Sequence, residues 1–243
     1  MAKQLLPPAI LMDLDDTIID AYARPEEAWA RVAAEFAVDL EPHEPKDIAR
    51  HINAHGRRFW AGVPQEAHPL HMGETRRRIV EGAFREARLF IEGGVDATLA
   101  HKIADRFSAI RDAEMKLFPG SVETIDELKA RGVKLALITN GTAVEQRAKV
   151  VRFGLDHRFN HIQIQGEHGF GKPEERAYLY AMQSLGVGAQ DCWMVGDNLE
   201  WEVAAPQRLG IHAIWFDRYG VGLPRGSKIV PDRIIHRLSE LLS

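Results

Sequence analysis

The chain has 243 residues, enough to bury one large core or two modest ones, and it carries 27% charged residues for a net charge of only −4. So small an imbalance argues against nucleic-acid and anionic-membrane partners, and no apolar run approaches the length of a membrane span. The opening Met1-Ala2-Lys3-Gln4 leads into too few apolar residues for a signal peptide, and the single cysteine, Cys192, excludes an internal disulfide, so a reducing, cytoplasmic setting is expected.

The first strand is expected from about Ala9 to Leu14. There the apolar run Ile10-Leu11-Met12 feeds into Asp13, Asp15, Asp16 and Thr17. A buried parallel strand of this kind presents its acids at the carboxyl tip, the edge where open α/β sheets bind ligands. From Ala21 to Lys116 strand signals are missing and helix formers dominate. Ala28, Val32 and Phe36 share a helical face. So do Ile48, Ile52, His55 and Phe59, then Ile79, Ala83 and Ala87, then Leu99, Ile103, Phe107 and Ile110. Pro25, Pro42, Pro45, Pro64, Pro69 and the pair Gly93-Gly94 punctuate these runs, giving a bundle of about four helices inserted after the first strand.

After Phe118 the pattern alternates. Pro119-Gly120-Ser121 caps a helix that ends near Ala130, before Gly132. Strands are expected at Val133–Thr139, Phe159–Gln165, Cys192–Val195 and Ile211–Phe216. Helices are expected at Ala143–Phe153, Glu174–Leu185, Glu200–Leu209 and Ile234–Leu242. Strands alternating with helices imply right-handed crossovers and a parallel sheet covered on both faces.

The chemistry gathers at the strand ends. Several like charges at one strand tip are costly to bury unless a cation joins them. Alone, Asp13-x-Asp15-x-Thr17 also suits a solvated loop or a helix cap. Thr139-Asn140-Gly141 ends the next strand with a hydroxyl, an amide and a glycine, equipment for holding phosphate oxygens or, equally, for a turn capped by Asn140 or Thr142. Lys172, in Gly171-Lys172-Pro173, opens a helix as a point charge able to neutralise carboxylate and phosphate. Asp197, in Val195-Gly196-Asp197-Asn198, could reach a metal with Glu202 behind it, or could cap a helix with Glu202 facing solvent.

In this order, the four motifs resemble the haloacid dehalogenase-like (HAD) superfamily, whose commonest members are phosphatases. The match runs through Asp13-Leu14-Asp15-Asp16-Thr17, Thr139-Asn140, Lys172-Pro173 and Gly196-Asp197 with Glu202, over residues 7–20 and 117–243. Glu202 stands where many relatives have Asp. The resemblance implies an α/β class: a Rossmann-like doubly wound parallel sheet with an inserted α-helical bundle, the C1-type cap. It implies a discontinuous catalytic core over residues 1–20 and 117–243 and a cap over 21–116. It further implies a magnesium-dependent phosphatase acting on a small phosphorylated metabolite. Asp13 would be the nucleophile that forms an aspartyl-phosphate, and Asp15 the general acid and base. Magnesium would be held by Asp13, the carbonyl of Asp15, and Asp197. Thr139, the N–H of Asn140 and Lys172 would hold the phosphate. The family's dehalogenases lack the second aspartate, so Asp15 argues against dehalogenation.

The cap is expected to close over the site and set the substrate, with Arg24 and the segment His55-Gly56-Arg57-Arg58-Phe59-Trp60 as candidate contacts. Arg76-Arg77-Arg78 could attract an acidic substrate but reads first as a solvated helix face, and His68-x-x-His71 offers only two ligands and so a poor metal site. Trp193, Trp201 and Trp215 read as packing residues and Cys192 as inert. Three other readings stay open: a phosphomutase, a phosphonate- or haloacid-cleaving enzyme, and a non-catalytic binding module. A phosphonate-cleaving relative would need a Schiff-base lysine in the cap, where Lys46, Lys102 and Lys116 are the lysines available. Sugar phosphates, phosphoglycolate and nucleoside monophosphates all fit the motifs, and oligomeric state leaves no mark on the sequence.

Overall fold

The computed structural model describes residues 6–21, 25–63, 72–89 and 95–243. Its elements in chain order are β1 (Ala9–Met12), β2 (Ile19–Asp20), α1 (Pro25–Glu35), α2 (Pro45–Gly62), α3 (Met72–Glu86), α4 (Ala97–Glu114), β3 (Lys116–Leu117) and α5 (Ser121–Ala130). There follow β4 (Lys134–Thr139), α6 (Ala143–Arg152), β5 (His161–Ile164), α7 (Gln165–His168), α8 (Glu175–Leu185), β6 (Cys192–Gly196), α9 (Ala205–Arg208), β7 (His212–Phe216) and β8 (Arg233–Ile235). The chain divides into two compact units, Met1–Asp20 with Lys116–Ser243, and Ala21–Met115.

The first unit is built on a six-stranded sheet in the order β5-β4-β1-β6-β7-β8. Every pairing in it is parallel. β1 lies inside the sheet, and all four of its residues are buried, as a strand covered on both faces requires. Alternation sends Ala9 and Leu11 into a cluster with Ala136, Ile138, Met194 and, from α8, Tyr178, Ala181 and Met182. Ile10 and Met12, equally buried, fill the opposite face. The chain order reverses on either side of β1, so the carboxyl ends of β1, β4 and β6 form the crevice where such sheets hold ligands.

Several element boundaries differ from the sequence reading. β1 stops at Met12, because Asp13 begins a tight turn in which Leu14 O accepts the amides of Ile18 and Ile19. The expected final helix Ile234–Leu242 is instead strand β8 followed by a 3-10 turn at Leu238–Leu242. The reason is period: Ile235 is fully buried and Ile234 is 41% exposed, a two-residue alternation that pairs with Trp215 and Phe216. The expected helix Glu200–Leu209 begins as a π-helical turn at Leu199–Ala204 before α9. The helix at Ser121 is not capped by a hydroxyl: Gly120 occupies the cap at φ 79° and Ser121 Oγ bonds Ile18 O instead.

The second unit buries the helical faces read from the sequence. Ala28, Val32, Ile48, Ile52, Ile79, Ala83, Ile103, Phe107 and Ile110 form one core, with Phe36, Phe59, Ala87 and Leu99 packed at its margin. Trp29 and Phe107 stack within it, with ring centroids 3.7 Å apart. The arginine run is paired: Arg77 forks onto Asp105 at 2.7 Å, Arg76 bonds Ser108, and Arg78 bonds Glu74. Arg57 bonds Glu26 at 2.7 Å and Arg58 bonds Glu86. Arg24, His68, His71 and the pair Gly93-Gly94 lie outside the described residues.

Candidate active site

Lys172 sits just ahead of α8 and is 3% exposed. Its ammonium lies 2.5 Å from Asp13 Oδ1 and 2.7 Å from Glu202 Oε1. Asp13 Oδ2 accepts from the Thr17 hydroxyl at 3.0 Å, and the Asp13 amide donates to Val195 O of β6. The nucleophile candidate is thus fixed at both carboxylate oxygens and at its backbone. Glu202 Oε2 accepts the Asn198 amide at 2.8 Å, and its stem passes so close to Gly196 that any Cβ there would meet Glu202 Cγ at 2.1 Å. The glycine before Asp197 therefore makes room for Glu202, which is buried rather than solvent-facing. The π-helical turn is capped by Asn198, whose Oδ1 accepts from Glu200 and Trp201, so Asp197 is not the cap.

Asp197 is held from β7 and the loop after it. Trp215 Nε1 donates to its carbonyl at 2.7 Å, and Arg218 Nη1 donates to Oδ2 at 3.1 Å. The same guanidinium reaches Asp16, at its carbonyl (3.0 Å) and its carboxylate (3.1 Å). Asp16 occupies the left-handed region at φ 62°, uncommon for a residue with a side chain, and Arg218 ties that turn to Asp197. Trp215 therefore does more than pack.

Asn140 and Lys172 are clamped in both directions. Asn140 Nδ2 donates to Lys172 O at 2.6 Å, and Lys172 N donates to Asn140 Oδ1 at 2.9 Å. The cap of α6 is Thr142, not Asn140. Asp15 turns toward α6: Lys149 Nζ donates to both its oxygens at 2.8 and 2.7 Å, and Gln146 Nε2 to Oδ2 at 2.9 Å. Gln146 also bonds the Thr139 hydroxyl, linking the ends of β1 and β4.

Electrostatics explain this arrangement. One ammonium serves two buried carboxylates and cannot fully offset the burial of both. Burial raises the Asp13 pKa against the pull of Lys172. Burial likewise pushes Glu202 up to about 8, again opposed by Lys172. For Lys172 itself, burial alone would lower the pKa, but Asp13 and Glu202 outweigh it and raise it, so the lysine stays charged. Asp197 is pushed up to about 7 by burial and then by Asp13 and Asp16, with Arg218 opposing. The cluster thus carries more negative charge than its own cations balance. Among the described residues no three His, Cys, Asp or Glu side chains form a metal-binding group. Carboxylate oxygens are the donors this edge offers a cation, a chemistry that suits magnesium, which keeps waters and takes substrate oxygens for part of its shell.

Sequence reasoning passed over Arg218, Gln146, Lys149 and the part played by Trp215. Arg218, Gln146 and Lys149 each carry a positional signal. Arg218 follows the expected strand Ile211–Phe216 at the same carboxyl edge as the motifs. Gln146 and Lys149 lie three apart on the helix that opens after Thr139-Asn140-Gly141, hence on one face. Cys192 is buried with its thiol pushed up to about 12 by desolvation, an inert packing residue. No helix among the described residues is long and apolar enough to cross a membrane.

The family model of haloacid dehalogenase-like hydrolases matches residues 7–210. The chain is 36% identical over 162 residues to a phosphoserine phosphatase of Thermus thermophilus, an alignment covering 66% of this chain and 63% of that protein. It is 29% identical to a glyceraldehyde 3-phosphate phosphatase of Methanopyrus kandleri, over 96% of this chain and 95% of that one. In three dimensions it is similar to a magnesium-bound HAD-hydrolase of Bacillus subtilis, with a TM-score of 0.69 at 21% identity, covering 98% and 97% of the two chains.

Proposed function

Because this chain belongs to the haloacid dehalogenase-like hydrolase family, we propose that its carboxylate cluster hydrolyses small phosphate monoesters with the help of magnesium, through a phosphoryl group carried on Asp13. The observation that supports this best is the buried Asp13–Lys172–Glu202 bridge, in which Thr17 fixes the second oxygen of Asp13. A carboxylate held at both oxygens on the ligand-binding edge of the sheet is oriented to attack, and Lys172 offers a fixed positive charge for the phosphoryl oxygens.

Asp13 attacks phosphorus, the phosphorus–oxygen bond to the alcohol breaks, and Asp15 gives the departing oxygen its proton. Asp15, now a carboxylate, takes a proton from water as that water releases phosphate from Asp13. Thr139, the Asn140 amide and Lys172 bear the phosphoryl charge as it redistributes. Magnesium would be held by Asp13, the Asp15 carbonyl and Asp197, and would supply charge neutralisation for the phosphoryl oxygens. Relatives named as phosphoserine and glyceraldehyde 3-phosphate phosphatases point to a small phosphorylated metabolite as substrate. The single, buried Cys192 suits a reducing, cytoplasmic compartment.

The test is phosphate release from p-nitrophenyl phosphate and a panel of phosphorylated metabolites, with and without magnesium. Magnesium-dependent release from at least one of them is the expected result. Metabolite binding without release would favour a binding module, and phosphate retained on an isomerised sugar would favour a mutase.

A further inference from the structure

Asp15 does not stand free at the strand tip. It is bound on one side by two residues of α6. Lys149 forks onto both oxygens at 2.8 and 2.7 Å, with the lysine side chain 14% exposed and the aspartate 18%. Gln146, 2% exposed, donates to Asp15 Oδ2 at 2.9 Å and also bonds the Thr139 hydroxyl. One buried amide thus ties the carboxylate of one strand end to the hydroxyl of the next. Gly141 is shaped to this purpose: it sits at φ 132°, and a Cβ there would come 3.0 Å from Gln146 Cγ. α6 begins at a Thr142 cap, so the helix delivers both side chains from a fixed start.

We propose that Gln146 and Lys149 are positioning residues for Asp15, fixing the direction of its carboxyl group at the strand end rather than recognising substrate themselves. This rests on the reading of Asp15 as the group that protonates the departing alcohol. A carboxylate on a turn has rotational freedom. Three donated hydrogen bonds from a single helix face remove most of it, and proton transfer in the transition state depends on that geometry. Lys149 also balances the charge of Asp15 without drawing on Lys172, which already serves Asp13 and Glu202.

The experiment compares kcat/KM for two aryl phosphates, phenyl phosphate and 2,4-dinitrophenyl phosphate, in Lys149→Met, Gln146→Met and Asp15→Asn. The dinitrophenolate departs without needing a proton, and phenolate is the poorer leaving group. Misplacing the acid therefore harms phenyl phosphate selectively. Each variant is expected to lose about tenfold or more beyond its loss on 2,4-dinitrophenyl phosphate, within the range that general acid catalysis contributes. If Asp15→Asn shows this selectivity while Lys149→Met and Gln146→Met lose equally on both esters, the positioning proposal fails and the acid assignment stands. If Asp15→Asn itself shows no selectivity, the acid assignment fails and the proposal with it. Should Lys149→Met not fold, Gln146→Met alone decides, since a neutral side chain there removes no charge.

Discussion

Asp13 and Lys172 stand 159 residues apart in the chain yet share a 2.5 Å hydrogen bond between buried side chains. The parallel sheet brings them together: β1 pairs with β4 and β6, and the connections after β4 return to the same carboxyl edge. A buried ammonium with two carboxylates is costly to assemble and weak evidence for stability alone, which is why a chemical purpose is the better account of it.

Asp13→Asn is expected to abolish turnover, by about 10⁴-fold or more, because the amide cannot carry a phosphoryl group. The change keeps the shape of the side chain, and Lys172 retains Glu202. The far-UV circular dichroism spectrum should therefore match wild type. Phosphate release near the wild-type rate would remove Asp13 from the nucleophile role.

Lys172→Met leaves Asp13 and Glu202 facing each other without their shared cation. Breaking a buried pair from one side costs about 3–5 kcal/mol, so a clear drop in the urea midpoint is expected, together with loss of activity. An unchanged midpoint would mean that both acids take up protons and that the ammonium contributes little.

Glu202 gives the pH dependence its sign. Its pKa is about 8 in the folded chain against an ordinary 4.5, so the folded state binds that proton more tightly than the unfolded one. The resulting stability is fully present below pH 4.5 and is lost as pH rises through 8, with a slope of at most about 1.4 kcal/mol per pH unit. Urea unfolding without added metal, from pH 5 to pH 8, should show wild type losing stability faster than Glu202→Gln. Parallel curves would show that Lys172 already holds Glu202 ionised.

Magnesium should stabilise the fold as well as support turnover. A ligand that binds only the native state at about 100 times its Kd adds about 2.7 kcal/mol, which a thermal melt resolves. Asp197→Asn is expected to abolish most of that shift, and exhaustive chelation to abolish activity in wild type. A shift of full size in Asp197→Asn would exclude Asp197 from the metal site.

The strand ends and the helical faces were legible from the sequence because each rests on a local period: Ile10 to Met12 as a run buried on both faces, and Ile103, Phe107 and Ile110 on one helical stripe. Three of the four motifs were legible because each closes a strand, at Asp13, Thr139 and Asp197, while Lys172 lies ahead of α8. Tertiary partners were not. Lys149 reads as an ordinary charge on an amphipathic helix until the turn at Asp15 is placed beside it. Arg218 carries no motif, and its partners, the turn at Asp16 and the Asp197 carboxylate, are brought to it by tertiary structure. The final Ile234-Ile235 pair misled because an apolar doublet fits either period, and only the open edge beside β7 decides for a strand.

Asn140→Ala tests the other clamp. Its side chain donates to Lys172 O at 2.6 Å and accepts from Lys172 N at 2.9 Å. Truncation leaves two backbone groups of a part-buried loop unsatisfied, at about 1–3 kcal/mol for each group that water cannot reach. The larger effect should be kinetic. With its backbone released, Lys172 no longer meets Asp13 at a fixed distance, so kcat should fall by about tenfold or more while KM changes less, since the cation acts most on charge that develops in the transition state. Asn140→Asp keeps the acceptor but loses the donor, and it should recover part of the stability and little of the rate. If both variants keep wild-type kcat, the two-way bond serves only to close the loop before α8, and the placement of Lys172 is set by Asp13 and Glu202 alone.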